Sequence, residues 1–262
     1  MAEENETVLV LLRDRNSQSI ANVDFLPEAE EYWNDSASSV NEKLETFPKY
    51  VSRETITKFL ARNELFVKQL AIHGSIVELG VGRGAGLFTW AHLSSIYEPS
   101  NYTREIIGFD TFTGFPSLTR NDTSFAGASD ELHIGGLSVG SNMKNDIERA
   151  AVLHDKTRFL GHIPKIRIVD GEIESTVPDF LTSNPHLIVS LLHLDADLYS
   201  PTCCALEHLV PRIPKGGLIV FDELNNRRFP GETIAAHELL GISAMELNRL
   251  PYCPTVSYLI RR

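Results

Sequence analysis

Five short runs rich in Ile, Val, Leu and Phe punctuate the chain: Ser75–Leu79, Glu105–Phe109, Lys165–Val169, Leu187–Leu194 and Gly217–Phe221. None alternates strictly between apolar and polar positions. That is the pattern of strands covered on both faces of a parallel sheet. Helical stretches separate most of them, at Leu87–Ser95, roughly Asn145–Leu160 and Thr202–Leu209. Strand–helix repetition predicts a parallel sheet with right-handed crossovers. Upstream, Ser52 can cap a helix whose apolar positions are Ile56, Phe59, Leu60, Leu65, Phe66 and Leu70. Downstream, Thr233–Leu240 reads as a helix. Met245–Leu250 and Thr255–Ile260, flanking Pro251 and Pro254, read as two closing strands, the last antiparallel. The pattern therefore predicts an α/β fold: a doubly wound, mostly parallel seven-stranded sheet, with an N-terminal helical extension.

Two regions fit this rhythm poorly. Residues 1–50 are mixed. Val8–Leu12 can be a short strand or a helix, and Glu28–Trp33 looks helical and acidic. They are expected to form an extension to a single domain over residues 51–262. Between Pro116 and about Lys144 the chain is dense in Gly, Ser, Asn and Asp. A long irregular connection in a compact domain is usually functional or mobile. It leaves the C-terminal edge of the second strand, where open α/β sheets bind ligands. The stretch at about 117–144 is expected to be a lid-like insertion; a plain disordered insertion is the alternative.

Composition narrows the partners. The chain has 262 residues and a formal net charge of -11, from 35 acidic and 24 basic residues. Broad nucleic-acid binding needs basic surface, so none is expected. No run is long enough to span a bilayer, and the acidic start, MAEENETVLVLLRD, lacks the basic and apolar regions of a secretory signal. The expectation is a cytoplasmic protein without a membrane partner. The three cysteines, Cys203, Cys204 and Cys253, imply no disulfide framework.

The most informative motif is Val77-Glu78-Leu79-Gly80-Val81-Gly82-Arg83-Gly84-Ala85-Gly86, after the first strand and opening a helix. Glycines there let backbone turn tightly and approach a ligand. Glu78, two residues before Gly80, disfavours a pyrophosphate loop, because a helix N-terminus attracts anions. It suits the cationic end of S-adenosylmethionine. The second strand is followed by Asp110, which can take both ribose hydroxyls. The segment resembles motif I of the class I, Rossmann-like methyltransferases. That resemblance places Asp170 and Gly171, after the third strand, beside the adenine. Candidate cofactor contacts are Glu78, Gly80, Gly82, Asp110, Thr111, Phe112, Asp170, Gly171 and Asp195.

The fourth strand ends His193-Leu194-Asp195-Ala196-Asp197 and the fifth Val220-Phe221-Asp222-Glu223. If these strands are neighbours, Asp195, Asp222 and Glu223 converge. Three such carboxylates repel unless a cation neutralises them, and oxygen-only ligands select Mg²⁺, Ca²⁺ or Mn²⁺. Asp195 and Asp197 share strand parity, so one can bind metal while the other accepts a proton. His193 shares that parity but, inside an apolar strand, reads as a hydrogen-bonded core residue.

HLDADLYSPT, PKGGLIVFDE and GFDTFTGFP together resemble the TylF-like family of metal-dependent sugar O-methyltransferases, the macrocin and mycinamicin type, from about Ile76 to His237. The resemblance implies Mg²⁺ on Asp195, Asp222 and Glu223, with Asp197 as the base. Where the family usually has an Asp-Asp pair, this chain has Asp222-Glu223. It further implies methylation of a deoxysugar hydroxyl, nucleotide-linked or on a natural-product glycoside, by a homo-oligomer. Arg83, Tyr199, Arg227 and Arg228 are polar candidates near the mouth. A catechol-type methyltransferase acting on a small vicinal diol shares the metal logic. A nicotinamide oxidoreductase would keep Gly80, Gly82 and Asp110 but has no use for the carboxylate cluster. Gly136-Leu137-Ser138-Val139-Gly140 matches the hydrolase elbow GxSxG, but no buried strand precedes it.

Overall fold

The computed structural model describes residues 20–124, 127–140 and 142–262, so Val8–Leu12 lies outside the described residues. The chain divides into two compact units, Met1–Lys58 and Phe59–Arg262. The first contains helices α1 (Ile20–Asp35) and α2 (Val40–Glu45). A capping box starts α2: the Ser39 N–H donates to Glu42 Oε2 at 2.7 Å and Ser39 Oγ accepts from the Glu42 N–H. Tyr50 stacks on Tyr32 and meets Trp33 edge-on, with centroids 5.5 and 5.0 Å away.

After α3 (Arg53–Gln69), the second unit alternates β1 (Ser75–Leu79), α4 (Ala85–Tyr97), β2 (Ile106–Asp110), α5 (Arg120–Thr123), α6 (Met143–Asp155), β3 (Ile166–Asp170), α7 (Ile173–Ser183), β4 (Val189–Leu194), α8 (Tyr199–Leu209), β5 (Leu218–Phe221), α9 (Gly231–Leu240), β6 (Asn248–Leu250) and β7 (Cys253–Ile260). The sheet runs β3-β2-β1-β4-β5-β7-β6, parallel through β5 and antiparallel at β7 and β6. The fold is the expected seven-stranded, Rossmann-like sheet. Helix α7 did not figure in the sequence reading; Pro178 interrupts a pattern that buries Ile173, Val177 and Leu181.

Two cores cover the sheet. On one face Val77, Ile107, Leu192 and Phe221 pack with Val177 of α7 and Ala205 of α8. On the other, Ile76, Leu191 and Val220 pack with Phe66, Trp90 and Ile147. The order reverses between β1 and β4, and ligands of such sheets sit at the carboxyl ends beside that point. The insertion after β2 is fastened near this edge. Buried Asp122 accepts from the Tyr199 N–H at 2.7 Å, and the Ser129 N–H donates to the Arg228 carbonyl at 2.9 Å. Among the described residues no helix is long and apolar enough to cross a membrane.

Between α4 and α6 lies a buried imidazole. His154 meets the His92 ring edge-on at 4.5 Å. Burial, then the neighbouring His92 charge, pushes its pKa down from 6.5 to about 4. The folded state thus resists a proton that the unfolded chain accepts, so this contribution to stability is lost as pH falls from 6.5 towards 4. Urea melts at pH about 7 and about 5 should show a smaller acid loss for His154→Gln than for the parent chain. Equal losses would remove His154 as their source.

Candidate active site

β1 ends at Leu79 and the chain turns at once through Gly80 (φ +85°). A Cβ on Gly80 would stand 1.9 Å from the Asp195 carbonyl oxygen, so only glycine lets the loop pass the end of β4. Gly82 also has positive φ, but a Cβ there would meet nothing within 4 Å. The loop therefore presents open backbone at Gly82. The Gly82 N–H donates to Asp110 Oδ2 at 2.7 Å and the Phe112 N–H to Oδ1 at 2.6 Å. Burial raises the Asp110 carboxyl above its usual range, and these N–H bonds oppose the shift. Phe112 is buried at positive φ, and the Thr111 hydroxyl donates to the Gly114 carbonyl at 2.8 Å. The Gly171 N–H donates to the Asp110 carbonyl at 3.0 Å, whereas the half-exposed Asp170 side chain pairs with Lys144 at 3.0 Å.

The sequence reading put Glu78 on the cofactor's cationic end. Its carboxylate is instead taken up inside the protein: Glu78 is 1% exposed, and Oε2 accepts from Trp90 Nε1–H at 2.7 Å and bonds His193 Nδ1 at 3.1 Å. A Cβ on Gly86 would lie 2.5 Å from both Glu78 oxygens, which places the carboxylate under the first turn of α4.

The acidic residues converge, with one change of membership. The Asp195 N–H donates to the Leu79 carbonyl at 2.9 Å and the Asp222 N–H to the Leu194 carbonyl at 3.1 Å. These bonds extend the β1–β4 and β4–β5 ladders past the strand ends and bring the two side chains together. One ligand atom each from His193, Asp195 and Asp222 lie within 4.8 Å of one another. Glu223, expected as the third member, is not in this group: its carboxylate accepts from Asn226 Nδ2 at 3.0 Å, and its N–H donates to Glu232 Oε1 at 3.2 Å. The Glu223 side chain turns back onto its own loop, and the third residue of the group is the buried His193.

Glu232 went unread in the sequence. It is fully buried at the start of α9, and its Oε2 has no hydrogen-bond partner among the described residues. Burial raises its pKa well above the usual carboxylate range; the Glu223 N–H opposes this, and the charges of Asp222, Asp197 and Glu223 add to it. The signal that could have found it is an acid directly after Gly231, opening a helix whose Ala235 and Ala236 are buried. Asp197 takes a left-handed conformation (φ +61°) before α8 begins. A site crowded with carboxylates suits a divalent cation, and Asp195 and Asp222 are placed to hold one. Of the polar residues expected near the mouth, Tyr199 donates its hydroxyl to Glu238 at 2.6 Å and Arg228 bonds Ser129 Oγ at 3.1 Å. The GxSxG segment runs from a turn at Gly136 and Leu137 into irregular chain, with no strand leading into Ser138.

Comparison with known proteins adds an independent line. Residues 53–237 match the family described as Macrocin-O-methyltransferase (TylF). A 156-residue stretch is 30% identical to the 8-demethyl-8-(2,3-dimethoxy-alpha-L-rhamnosyl)-tetracenomycin-C 4'-O-methyltransferase of Streptomyces olivaceus, covering 58% of this chain and 53% of that one. The Mycinamicin III 3''-O-methyltransferase of Micromonospora griseorubida is 26% identical over 157 residues, 58% of this chain and 56% of its own. The chain thus spans about half the length of these curated relatives. Among solved structures, CalS11, a calicheamicin methyltransferase, superposes with a TM-score of 0.89 at 32% identity, covering 95% of this chain and 96% of that one. An apo structure of CalS11, described as a TDP-rhamnose 3'-O-methyltransferase, gives 0.81 at 29% identity, covering 95% and 99%.

Proposed function

The chain belongs to the macrocin-O-methyltransferase (TylF) family, and from that premise we propose that it transfers a methyl group from S-adenosylmethionine to a hydroxyl of a rhamnose-like deoxysugar, nucleotide-linked or on a natural-product glycoside, with help from a bound Mg²⁺ or another hard divalent cation. One observation carries the reading: the glycine loop and the carboxylate cluster are in backbone contact, with Gly80 against the Asp195 carbonyl. A cofactor lying over the open backbone at Gly82 is thereby next to the acids that handle a hydroxyl. The sugar comes from the relatives, whose names specify a rhamnosyl tetracenomycin and TDP-rhamnose.

S-adenosylmethionine supplies an electrophilic sulfonium methyl: a new C–O bond forms to the sugar oxygen as the C–S bond breaks, releasing S-adenosylhomocysteine. Gly80 lets the loop pass the end of β4, and Gly82 leaves open backbone for the cofactor to approach. Each Asp110 oxygen already accepts one N–H and retains a lone pair for a ribose hydroxyl. Asp195 and Asp222 would hold the cation, which would supply Lewis acidity to neighbouring hydroxyls and so lower the pKa of one. Asp197 removes that proton. Alignment of oxygen, methyl and sulfur supplies much of the rest.

The test is S-adenosylhomocysteine release with TDP-rhamnose and with a rhamnosylated polyketide, with Mg²⁺ or with EDTA. Transfer to at least one sugar is expected. Chelation should slow it by about 100-fold or more, as several kcal/mol of lost charge stabilisation implies. Full activity in EDTA would remove the metal. Transfer to a catechol but to no sugar would remove the substrate class.

A further inference from the structure

We propose that His193, held by Glu78, is itself a ligand of the divalent ion, so that the centre is a mixed nitrogen–oxygen set of His193, Asp195 and Asp222 instead of three carboxylates. The inference rests on the metal-dependent reading above and changes which residues and which ions it involves.

The first support is register. Glu78 on β1 and His193 on β4 are direct Cα partners in a parallel pair, and both are 1% exposed. Their contact is a single bond, Glu78 Oε2 to His193 Nδ1 at 3.1 Å. A carboxylate partner makes Nδ1 the donor, and in the neutral imidazole that a metal ligand requires this tautomer leaves the Nε2 lone pair for the ion. Trp90 fixes the arrangement twice: its Nε1–H donates to the same Glu78 oxygen at 2.7 Å, and its ring meets the imidazole edge-on at 5.7 Å. A carboxylate that sets the tautomer and the ring orientation is the usual support of a metal-binding histidine.

The second support is spacing. Ligand atoms around one ion with bonds of about 2.0–2.1 Å stand roughly 3–4.2 Å apart. One ligand atom from each of His193, Asp195 and Asp222 lies within 4.8 Å of the others, close to that spacing before any ion draws them in. The third is the company they keep. Glu223 is engaged by Asn226 and Glu232, while the fully buried Glu232 has one oxygen without a hydrogen-bond partner among the described residues. An imidazole ligand changes the preferred ion, because carboxylates alone suit Mg²⁺ whereas nitrogen shifts affinity towards Mn²⁺ and the later first-row metals.

The probe is Mn²⁺ bound to the full chain, read by electron spin-echo envelope modulation, with and without ¹⁵N-histidine labelling. The expected result is one bound Mn²⁺ with imidazole nitrogen coupling that changes with the label and disappears in His193→Gln. That variant should also bind Mn²⁺ at least about 10–100-fold more weakly, and Glu78→Gln should weaken binding in the same direction. S-adenosylhomocysteine binding checks that each variant is folded, and the parent spectrum needs no variant at all. Bound Mn²⁺ without nitrogen coupling would overturn the proposal and leave the metal-dependent methyl transfer standing. A parent chain that binds no Mn²⁺ or Mg²⁺ would overturn both.

Discussion

Asp197→Asn should lower kcat by about 10²–10⁴-fold, the contribution of a well-placed general base, while S-adenosylhomocysteine binding stays unchanged. The backbone makes this substitution a clean one. Asp197 sits at φ +61°, a left-handed conformation that Asn accepts as readily as Asp. Alanine there would add about 1–2 kcal/mol of backbone strain and confound chemistry with folding. With Asn the corner between Asp195 and α8 keeps its path, and only the proton-accepting charge is lost. A base also leaves a mark in the pH profile: kcat of the parent enzyme should fall on the acid side, and that limb should be absent from the residual activity of the variant. A rise in KM at constant kcat would make Asp197 a binding residue. Unchanged turnover would remove it from the mechanism.

Most of the scaffold was legible because its strands are buried on both faces. Ser75–Leu79 emerges with the boundaries that its apolar run predicts, and the other four parallel strands start one or two residues inside theirs. The chemistry at the strand ends was legible for the same reason. A parallel sheet delivers whatever follows each strand to one edge, so Asp110, Asp195 and Asp222 could be placed by counting. What failed depended on contacts between distant parts of the chain. Helix α7 hid behind Pro178, which reads as a breaker although the helix accommodates it. The helix expected over roughly Asn145–Leu160 stops at Asp155, and the strand expected over Met245–Leu250 is reduced to Asn248–Leu250.

Within the site, parity put His193 on the right face but could not say that Glu78 and Trp90 clamp it there; that follows from the β1–β4 register. Glu223 and Asp222 look equivalent as letters. They part company because Glu232, nine residues further on, takes the Glu223 N–H, and Asn226 takes its carboxylate. No local spacing rule carries that information.

The glycine loop yields a paired expectation that separates folding from binding. In Gly80→Ala the new methyl would stand 1.9 Å from the Asp195 carbonyl oxygen and 2.6 Å from its carbon, backbone atoms that cannot rotate away. Strain at a positive φ of about 1–3 kcal/mol adds to overpacking of about 1–3 kcal/mol. A loss of about 4 kcal/mol in a chain of this size lowers Tm by roughly 8–16 °C, and the displaced Asp195 should take cation binding and turnover with it. Gly82→Ala differs: its methyl meets nothing within 4 Å, and the N–H bond to Asp110 survives. Its cost to stability should be only about 1–2 kcal/mol, that of a Cβ in a left-handed conformation. The methyl would nonetheless stand where the loop must admit the cofactor, so S-adenosylhomocysteine affinity should fall while the protein stays folded. Thermal melts and calorimetric titration of both variants decide the matter. Gly80→Ala melting like the parent would contradict the loop's contact with β4, and Gly82→Ala binding S-adenosylhomocysteine as tightly as the parent would move the cofactor off this loop.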